Sequence, residues 1–245
     1  MDMILLFDRG NRALKAALHS AGTITRRWRE EPGDSVGTVT AILDSCRPRG
    51  VAFSSVVPGW NRLLLETVRR RGIERVVEAG ADIRLPFDLL VDNAEKLGAD
   101  RIAAACGVAA LDHREAVIID AGTAVTVDIL SREGFIGGAI FPGIDMILDS
   151  LHEGTESLPR IQCGDTIPAI PGRDTAGAMA AGAFWGWIGA VRELVARSHS
   201  YLEGEHPVFV TGGNADLVAP YCPGDVTVDE DIVFRGLLLL FELNA

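Results

Sequence analysis

Two segments of the chain have the same order of apolar and polar residues. The apolar residues 4–7 precede Asp8 and Gly10, and the apolar residues 117–119 precede Asp120 and Gly122. An apolar run of this length between turn residues predicts a buried strand. A glycine two positions after the carboxylate allows a tight turn with closely spaced backbone N–H groups. Each segment is therefore predicted to present a carboxylate and several amides to one ligand.

The remaining pattern predicts two similar runs of elements. The first consists of strands at 3–8, 13–18, 23–28, 50–56 and 76–79, with helices at 36–46, 58–71 and 98–111. The second consists of strands at 116–120, 124–130, 134–141 and 208–210, with helices at 144–152, 175–198 and 232–243. Three strands in a meander followed by alternating helices and strands predict a duplicated ribonuclease H-like α/β fold. We expect one lobe at 1–112, a second at 113–245, and an active site in the cleft between them.

The helix predicted at 175–198 is rich in small residues. Glycine weakens a helix, so Gly177, Gly182, Gly186 and Gly189 predict that another backbone packs closely there. Trp185 and Trp187 in the same helix are expected to lie in the core or in a subunit interface.

Composition excludes several classes of partner. The chain has 245 residues and a net charge of −11, which argues against nucleic acid or an anionic membrane as a general partner. The early apolar run is too short to span a bilayer and lacks the features of a secretory signal, so a cytoplasmic location is expected. The four cysteines are scattered and are expected to be buried thiols, not a disulfide or zinc framework.

The repeated Asp-x-Gly turns favour phosphate chemistry. Asp8 could hold hydrated Mg²⁺ while the amides after it bind phosphate oxygens, whereas an ordinary hairpin turn would explain either segment alone. Asp100 and Arg101, at the start of a predicted helix, could be a proton acceptor and an anion-binding group. On local sequence alone, a dipole-stabilising acid beside a solvated arginine explains them better. Residues 211–213 could contact a nucleotide or form a plain turn.

Taken in order, the motifs resemble those of the type III pantothenate kinases, of the actin-like and sugar-kinase ATPase superfamily. The resemblance extends over nearly the whole chain and rests on Asp8-Arg9-Gly10-Asn11, Ser54-Ser55-Val56-Val57-Pro58, Gly98-Ala99-Asp100-Arg101, Asp120-Ala121-Gly122-Thr123-Ala124, residues 137–143, Asp174-Thr175 and Thr211-Gly212-Gly213. It implies ATP-dependent phosphorylation of pantothenate, the first step towards coenzyme A, by a homodimer.

The resemblance also implies roles for individual residues. Asp100 would be the proton acceptor, and Asp120 would hold a monovalent cation, K⁺ or NH₄⁺, in addition to the Mg²⁺ that accompanies ATP. Pantothenate would be bound by Gly98, Ala99, Asp100, Arg101 and Thr175, with Arg101 facing its carboxylate. ATP would be bound by Asp8, Arg9, Gly10, Asn11, Arg12, Ala13, Leu14, Lys15 and Thr123.

Two positions depart from the family pattern. Arg12 stands where the family usually has threonine, and Val91 begins a stretch, Val91-Asp92-Asn93-Ala94, where the family often has Tyr-x-Asn-Pro. These departures motivate one alternative, a catalytically impaired relative that acts as a binding or regulatory protein. A second alternative is a kinase of the same superfamily with another small alcohol as substrate.

Overall fold

The chain folds into two compact units. The computed structural model describes residues 3–30, 35–164 and 166–245. The first unit comprises the residues up to Arg114, Arg132–Phe135 and Asp231–Ala245, and the second comprises Glu115–Ser131 and Ile136–Glu230.

Within the described residues there are ten strands and seven α-helices, together with short 3₁₀ turns at Ala94–Lys96 and Ala219–Tyr221. The strands are β1 (Ile4–Arg9), β2 (Leu14–Ser20), β3 (Thr23–Glu30), β4 (Gly50–Ser55), β5 (Arg75–Glu78), β6 (Ala116–Ala121), β7 (Ala124–Ser131), β8 (Gly134–Pro142), β9 (Val208–Thr211) and β10 (Val226–Val228). The helices are α1 (Ser35–Cys46), α2 (Pro58–Arg70), α3 (Ala99–Ala109), α4 (Ile144–Glu153), α5 (Thr175–Tyr201), α6 (Ala215–Val218) and α7 (Ile232–Asn244).

The two sheets have the same strand order. One runs β3-β2-β1-β4-β5 and the other runs β8-β7-β6-β9-β10. β1 is antiparallel to β2 and parallel to β4, and β6 is likewise antiparallel to β7 and parallel to β9. This repetition confirms the predicted duplicated α/β fold. Because parallel strands end at the same edge of a sheet, the ends of β1 and β4 are neighbours, and so are the ends of β6 and β9.

The sheet of the first unit has helices on both faces. Leu5 and Phe7 of β1 alternate with Ile4 and Leu6, and all four are buried. The Leu5 and Phe7 side chains belong to a core with residues of α1 and α2, while α3 and α7 pack on other parts of this sheet. The rings of Phe7 and Trp60 meet edge to face, with centroids 5.9 Å apart. The unit is therefore a layered α/β structure whose central strands are covered by apolar side chains.

Helices α3 and α7 approach each other unusually closely. A Cβ built on Gly107 of α3 would lie 1.9 Å from the carbonyl oxygen of Ile232, and one built on Gly236 of α7 would lie 1.8 Å from the carbonyl oxygen of Ala103. Only glycine at these two positions lets the backbones pack at this distance. The contact explains why α7 belongs to the first unit, although the sequence predicts it as the end of a continuous second lobe. The predicted division at 112 and 113 lies two residues before the observed one.

The core of the second unit is built around α5. Trp187 is almost fully buried, among residues of α4, β6, β7 and β9. Trp185 is partly buried, and its indole N–H donates to the carbonyl oxygen of Pro168 at 3.0 Å. A Cβ on Gly182, Gly186 or Gly189 would meet nothing within 4 Å, so in the described part of the chain no other backbone packs against this face of α5. Of the four glycines, only Gly177 makes the predicted close approach among the described residues: a Cβ on Gly172 would lie 2.4 Å from the carbonyl carbon of Gly177.

No helix among the described residues is long and apolar enough to cross a bilayer. Within the described residues none of the four cysteines forms a disulfide; Cys46 and Cys106 are buried, and Cys163 and Cys222 are partly exposed.

Candidate active site

Asp8 lies near the carboxyl end of β1 and is flanked by one residue from each neighbouring strand. Strand pairing places Lys15 of β2 on one side and Ser54 of β4 on the other. The Ser54 hydroxyl, which is fully buried, donates a hydrogen bond of 2.8 Å to Oδ1 of Asp8. The local structure thus fixes the orientation of the Asp8 carboxylate.

The surroundings of Asp8 have opposing effects on its charge. Burial raises the pKa of Asp8 above its ordinary value, while the charge of Lys15 and the Ser54 hydrogen bond oppose this rise. The negative charge of Asp100 raises the Asp8 pKa further, so the two carboxylates lie close enough to interact. A nearby cation would reduce the electrostatic repulsion between the two carboxylates.

The turn after β1 is closed by its own backbone. The amide of Gly10 donates to the carbonyl oxygen of Ala13 at 3.0 Å. The Arg9 guanidinium folds back and donates to the carbonyl oxygens of Gly10 and Ala13, which keeps it within the turn. Asn11 and Arg12 are exposed at the tip. Of the predicted ATP-binding residues, Leu14 has its side chain buried in the core, so only its backbone could contact a ligand.

The start of α3 carries Gly98, Ala99, Asp100 and Arg101. Oδ1 of Asp100 accepts the amide N–H of Arg101 at 2.9 Å, and a Cβ on Gly98 would lie 2.6 Å from that same oxygen. Glycine at position 98 therefore makes room for the Asp100 carboxylate. The Arg101 guanidinium lies 5.6 Å from the ring centroid of Phe135, which is fully buried. This stacking on an aromatic ring limits the positions that the guanidinium can take.

A cavity of about 1280 Å³ adjoins the start of α3 and the end of β4. Its wall includes Gly98, Ala99 and Ser55, and a loop that follows β5. That loop is anchored by Asn244 of α7, whose side chain accepts the amide N–H of Arg84 at 2.8 Å and donates to the carbonyl oxygen of Arg84 at 2.9 Å. The cavity, which lies wholly within the first unit, is large enough for a small-molecule substrate.

The equivalent strand end in the second unit is equally constrained. After Asp120, the amide of Gly122 donates to the carbonyl oxygen of Ala124 at 3.1 Å, and the amide of Gly143 donates to the carbonyl oxygen of Thr123 at 3.0 Å. Asp120 pairs with Thr211 of β9. A Cβ on the next residue, Gly212, would lie 2.5 Å from Oδ1 of Asp120, and its φ is +96°. The glycine in the loop after β9 is therefore required by both close packing and backbone conformation.

Thr175 lies in the second unit, exposed in the first turn of α5. The side chain of Asp174 caps this helix by accepting the amide N–H of Gly177 at 2.7 Å. The Asp174-Thr175 motif therefore has a structural role at the helix start, and the Thr175 hydroxyl lies at the surface.

The described residues contain no group of three or more His, Cys, Asp or Glu side chains arranged to hold a metal ion. A single carboxylate such as Asp8 nevertheless suits Mg²⁺, which is commonly bound by one or two carboxylates, water and substrate phosphates. Carboxylate and carbonyl oxygens at the end of β6 are the hard ligands that an alkali cation prefers.

The structure brings together Asp8, Lys15 and Asp100 within the first unit and places Asp120 and Thr123 together in the second. Sequence reasoning missed the contact that Ser54 makes with Asp8. The available signal was the motif Ser54-Ser55-Val56-Val57-Pro58, a buried strand that ends in hydroxyl residues. The anchoring role of Asn244 had no such signal.

The duplicated α/β architecture, in which the first strand of each half ends in an Asp-x-Gly turn, is the fold of the actin-like and sugar-kinase class. Solved structures support this fold. A protein from Campylobacter jejuni described as a Baf family transcriptional activator has a TM-score of 0.63 at 21% identity, covering 97% of each chain. A protein from Sinorhizobium meliloti described as a 2-dehydro-3-deoxygalactonokinase has a TM-score of 0.59 at 14% identity, again over 97% of each chain.

Sequence comparison identifies the family. Residues 4–197 match the family described as type III pantothenate kinase. Proteins named type III pantothenate kinase are 33% identical in Caulobacter vibrioides and 32% identical in Paramagnetospirillum magneticum, and each comparison covers 99% of this chain and 98% of the relative. The chain belongs to the type III pantothenate kinase family, whose members phosphorylate pantothenate in coenzyme A biosynthesis.

Proposed function

We propose that this protein transfers the γ-phosphoryl group of ATP to the primary alcohol of pantothenate, with Asp100 as the proton acceptor. The observation that carries the assignment is the group formed by Asp8, Lys15, Ser54 and Asp100 in the first unit, beside a cavity lined by Gly98 and Ala99. Phosphoryl transfer depends chiefly on positioning and on neutralisation of charge, and these residues supply both.

Asp8 and the turn after it are assigned to the ATP phosphates. Mg²⁺ bound with ATP would be held by the Asp8 carboxylate and would neutralise charge on the transferred group. Ser54 keeps one Asp8 oxygen in place, which leaves the second oxygen for the ion. Lys15, beside Asp8 on the neighbouring strand, adds a positive charge, and the exposed Asn11 and Arg12 at the turn tip are within the proposed phosphate loop.

Asp100 is assigned to the alcohol. It lies in the first turn of α3. One of its oxygens is held by the amide of Arg101, so the other can accept the hydroxyl proton as the alcohol oxygen attacks the γ-phosphorus. The products are ADP and 4'-phosphopantothenate, and the proton remains on the Asp100 carboxyl group until it is released to water.

Arg101 is assigned to the pantothenate carboxylate. Its guanidinium is positioned by Phe135, and a planar group with paired N–H donors suits a carboxylate. The adjoining cavity would hold the rest of the substrate. Its volume exceeds that of a molecule of this size, so the pocket alone does not select pantothenate, and the arginine would supply much of the specificity.

In the second unit, Asp120 is assigned to a monovalent cation, K⁺ or NH₄⁺, and Thr123 to ATP. The close packing of Gly212 and Gly143 against this strand end supports a preformed backbone site there. Thr175 is assigned to pantothenate on the family resemblance, in accord with its exposed hydroxyl.

A homodimer in the cytoplasm completes the proposal. The face of α5 that carries Gly182, Gly186 and Gly189 is exposed, and small residues there would allow a helix of a second copy to approach closely. Gly186→Glu would place a charge on this face. Sedimentation of this variant as a monomer would support the interface, and an unchanged dimer would place the contact elsewhere.

The central test is a coupled assay of ADP release with pantothenate, with and without K⁺. We expect Asp100→Asn to lower kcat by roughly 10² to 10⁴-fold, the usual contribution of a general base, while ATP binding by calorimetry persists. Asp112→Asn is the matched control, since Asp112 is exposed after α3 in a left-handed conformation that asparagine also tolerates. Near-normal turnover in Asp100→Asn would remove this residue from the role of base.

The same assay decides between this proposal and a binding or regulatory role. Arg12 and Val91, which depart from the family pattern, are the observations that favour that second role, together with the description of the C. jejuni structure. ADP release that depends on pantothenate would exclude it. Release with another small alcohol, but not with pantothenate, would retain the kinase and change its substrate.

A further inference from the structure

A second cavity lies at the end of the first unit's sheet opposite Asp8. Its volume is about 420 Å³, and it is lined where β1, β4 and β5 begin and where α7 ends. Ile4 of β1 is part of its wall, and four residues of extended strand, about 13 Å, separate Ile4 from Asp8. The cavity is thus distinct from the kinase site and plays no part in the function proposed above.

Arg75 is the best-positioned charge in this wall. Its guanidinium lies 4.9 Å from the ring centroid of Phe241, a buried residue of α7. The ring is seated against Gly50, where a Cβ would lie 2.2 Å from its Cζ atom. Arg75 is partly buried, and within the described ranges its side chain makes neither a hydrogen bond nor an ion pair. A guanidinium held by stacking, with its N–H donors unused, is prepared for an oxyanion.

A second polar group in the same wall also lacks a partner. Nδ1 of His19 is buried and has no hydrogen-bond partner among the residues that the structure describes. Buried polar atoms in proteins are nearly always paired with protein, water or ligand. His19 and Arg75 come from different strands, so two independent elements contribute polar side chains to the wall of one cavity.

The charge of the wall indicates the charge of the ligand. Among the described residues, two arginines, Arg49 and Arg75, and one acid, Glu242, line the cavity, and their formal charges sum to one positive charge with His19 counted as neutral. This local excess stands out in a chain with a net charge of −11. Ile4 adds an apolar surface. We propose that this cavity binds a small monoanion through a carboxylate or phosphate group, which Arg75 and His19 contact.

The test is a titration of the full chain followed by ¹H–¹⁵N NMR. Inorganic phosphate and acetate are added in separate arms, with sodium chloride at equal ionic strength as the reference. The amides of Gly22 and Arg75 report on this cavity, whereas those of Gly10 and Gly122 report on the phosphate loops. Saturable shifts of the Gly22 and Arg75 amides on addition of phosphate identify a phosphate site. The same shifts on addition of acetate identify a carboxylate site. The proposal would be overturned if sodium chloride caused the same shifts as phosphate or acetate, or if neither anion caused a shift at Gly22 and Arg75.

Three variants assign the binding to named side chains. Arg75→Gln should raise the dissociation constant for the bound anion about tenfold or more, because charge-assisted hydrogen bonds are lost. Glu242→Gln, at an exposed position, should tighten binding by about two- to fivefold, because a like charge is removed. Arg69→Gln, which removes an exposed charge elsewhere in the unit, should leave it unchanged. Equal affinities in all three variants would refute the site even if the Arg75 variant folded poorly.

Discussion

The close contact of α3 and α7 leads to a quantitative prediction about stability. In Gly107→Ala, the new Cβ would lie 1.9 Å from the carbonyl oxygen of Ile232, about 1.4 Å short of an ordinary C···O contact of about 3.3 Å. The oxygen belongs to the backbone and the position of the Cβ is fixed by its own helix backbone, so no side-chain rotation can relieve the overlap. The two helices would have to separate.

Overpacking of this kind typically costs about 1–3 kcal/mol, and a backbone clash belongs at or above the upper end. Alanine is favoured over glycine in a helix by about 1 kcal/mol, which offsets part of the cost. We expect a net loss of at least about 2 kcal/mol. For a protein of this size each kcal/mol lowers Tm by about 2–4 °C, so Tm should fall by about 4 °C or more.

Differential scanning calorimetry measures this change, with Gly59→Ala as the control. Gly59 lies in the first turn of α2, where a Cβ would meet nothing within 4 Å. The Tm of the Gly59→Ala variant should therefore change little. The double variant Gly107→Ala/Gly236→Ala should lose less than the sum of the single losses, because one separation of the helices relieves both clashes. A Gly107→Ala protein as stable as Gly59→Ala would refute the close packing.

Three further predictions concern the candidate site. Ser54→Ala should raise KM for ATP and destabilise the protein by about 1–3 kcal/mol, because a buried carboxylate loses its hydrogen bond; equal KM values would contradict this. Asn244→Ala should raise KM for pantothenate more than it lowers kcat, because the loop at Arg84 loses its anchor, and a fall in kcat alone would speak against the cavity as the substrate site. Asp8→Asn should abolish turnover yet raise Tm at neutral pH. Burial raises the Asp8 pKa, so the folded protein binds this proton more tightly and loses stability as pH rises through that pKa. The gain in Asp8→Asn should therefore disappear below about pH 4, where the carboxyl group is neutral in both states, and a gain that persists there would contradict this cause.

The parts of the site that follow from local pattern could be predicted from the sequence. Asp8 and Asp120 come directly after apolar runs, and their strands and turns follow from these runs. The nearly identical meanders predicted the duplication that the strand order confirms. The three-residue strand Val226–Val228 escaped prediction because so short a run has no recognisable period.

The parts that depend on tertiary contacts could not be predicted. The pairing of Ser54 with Asp8 depends on which strand lies parallel to β1 and in which register, and neither is encoded in the adjacent residues. Arg101 stacks on Phe135, 34 positions away in sequence, at the start of β8. The glycines of α5 show the limit of composition most clearly. Gly177 packs against the backbone of Gly172, whereas none of the described residues packs against Gly182, Gly186 or Gly189.

The position of α7 has a consequence for synthesis of the protein. The first unit needs residues 232–244 to cover its sheet, yet these are translated after the whole second unit. Domains usually fold in the order in which they leave the ribosome. Here the earliest residues must wait for the latest, so a released chain truncated after residue 230 should have a protease-resistant second unit and a protease-sensitive first one. Equal resistance of both units in this truncated chain would show that the first can fold without its last helix.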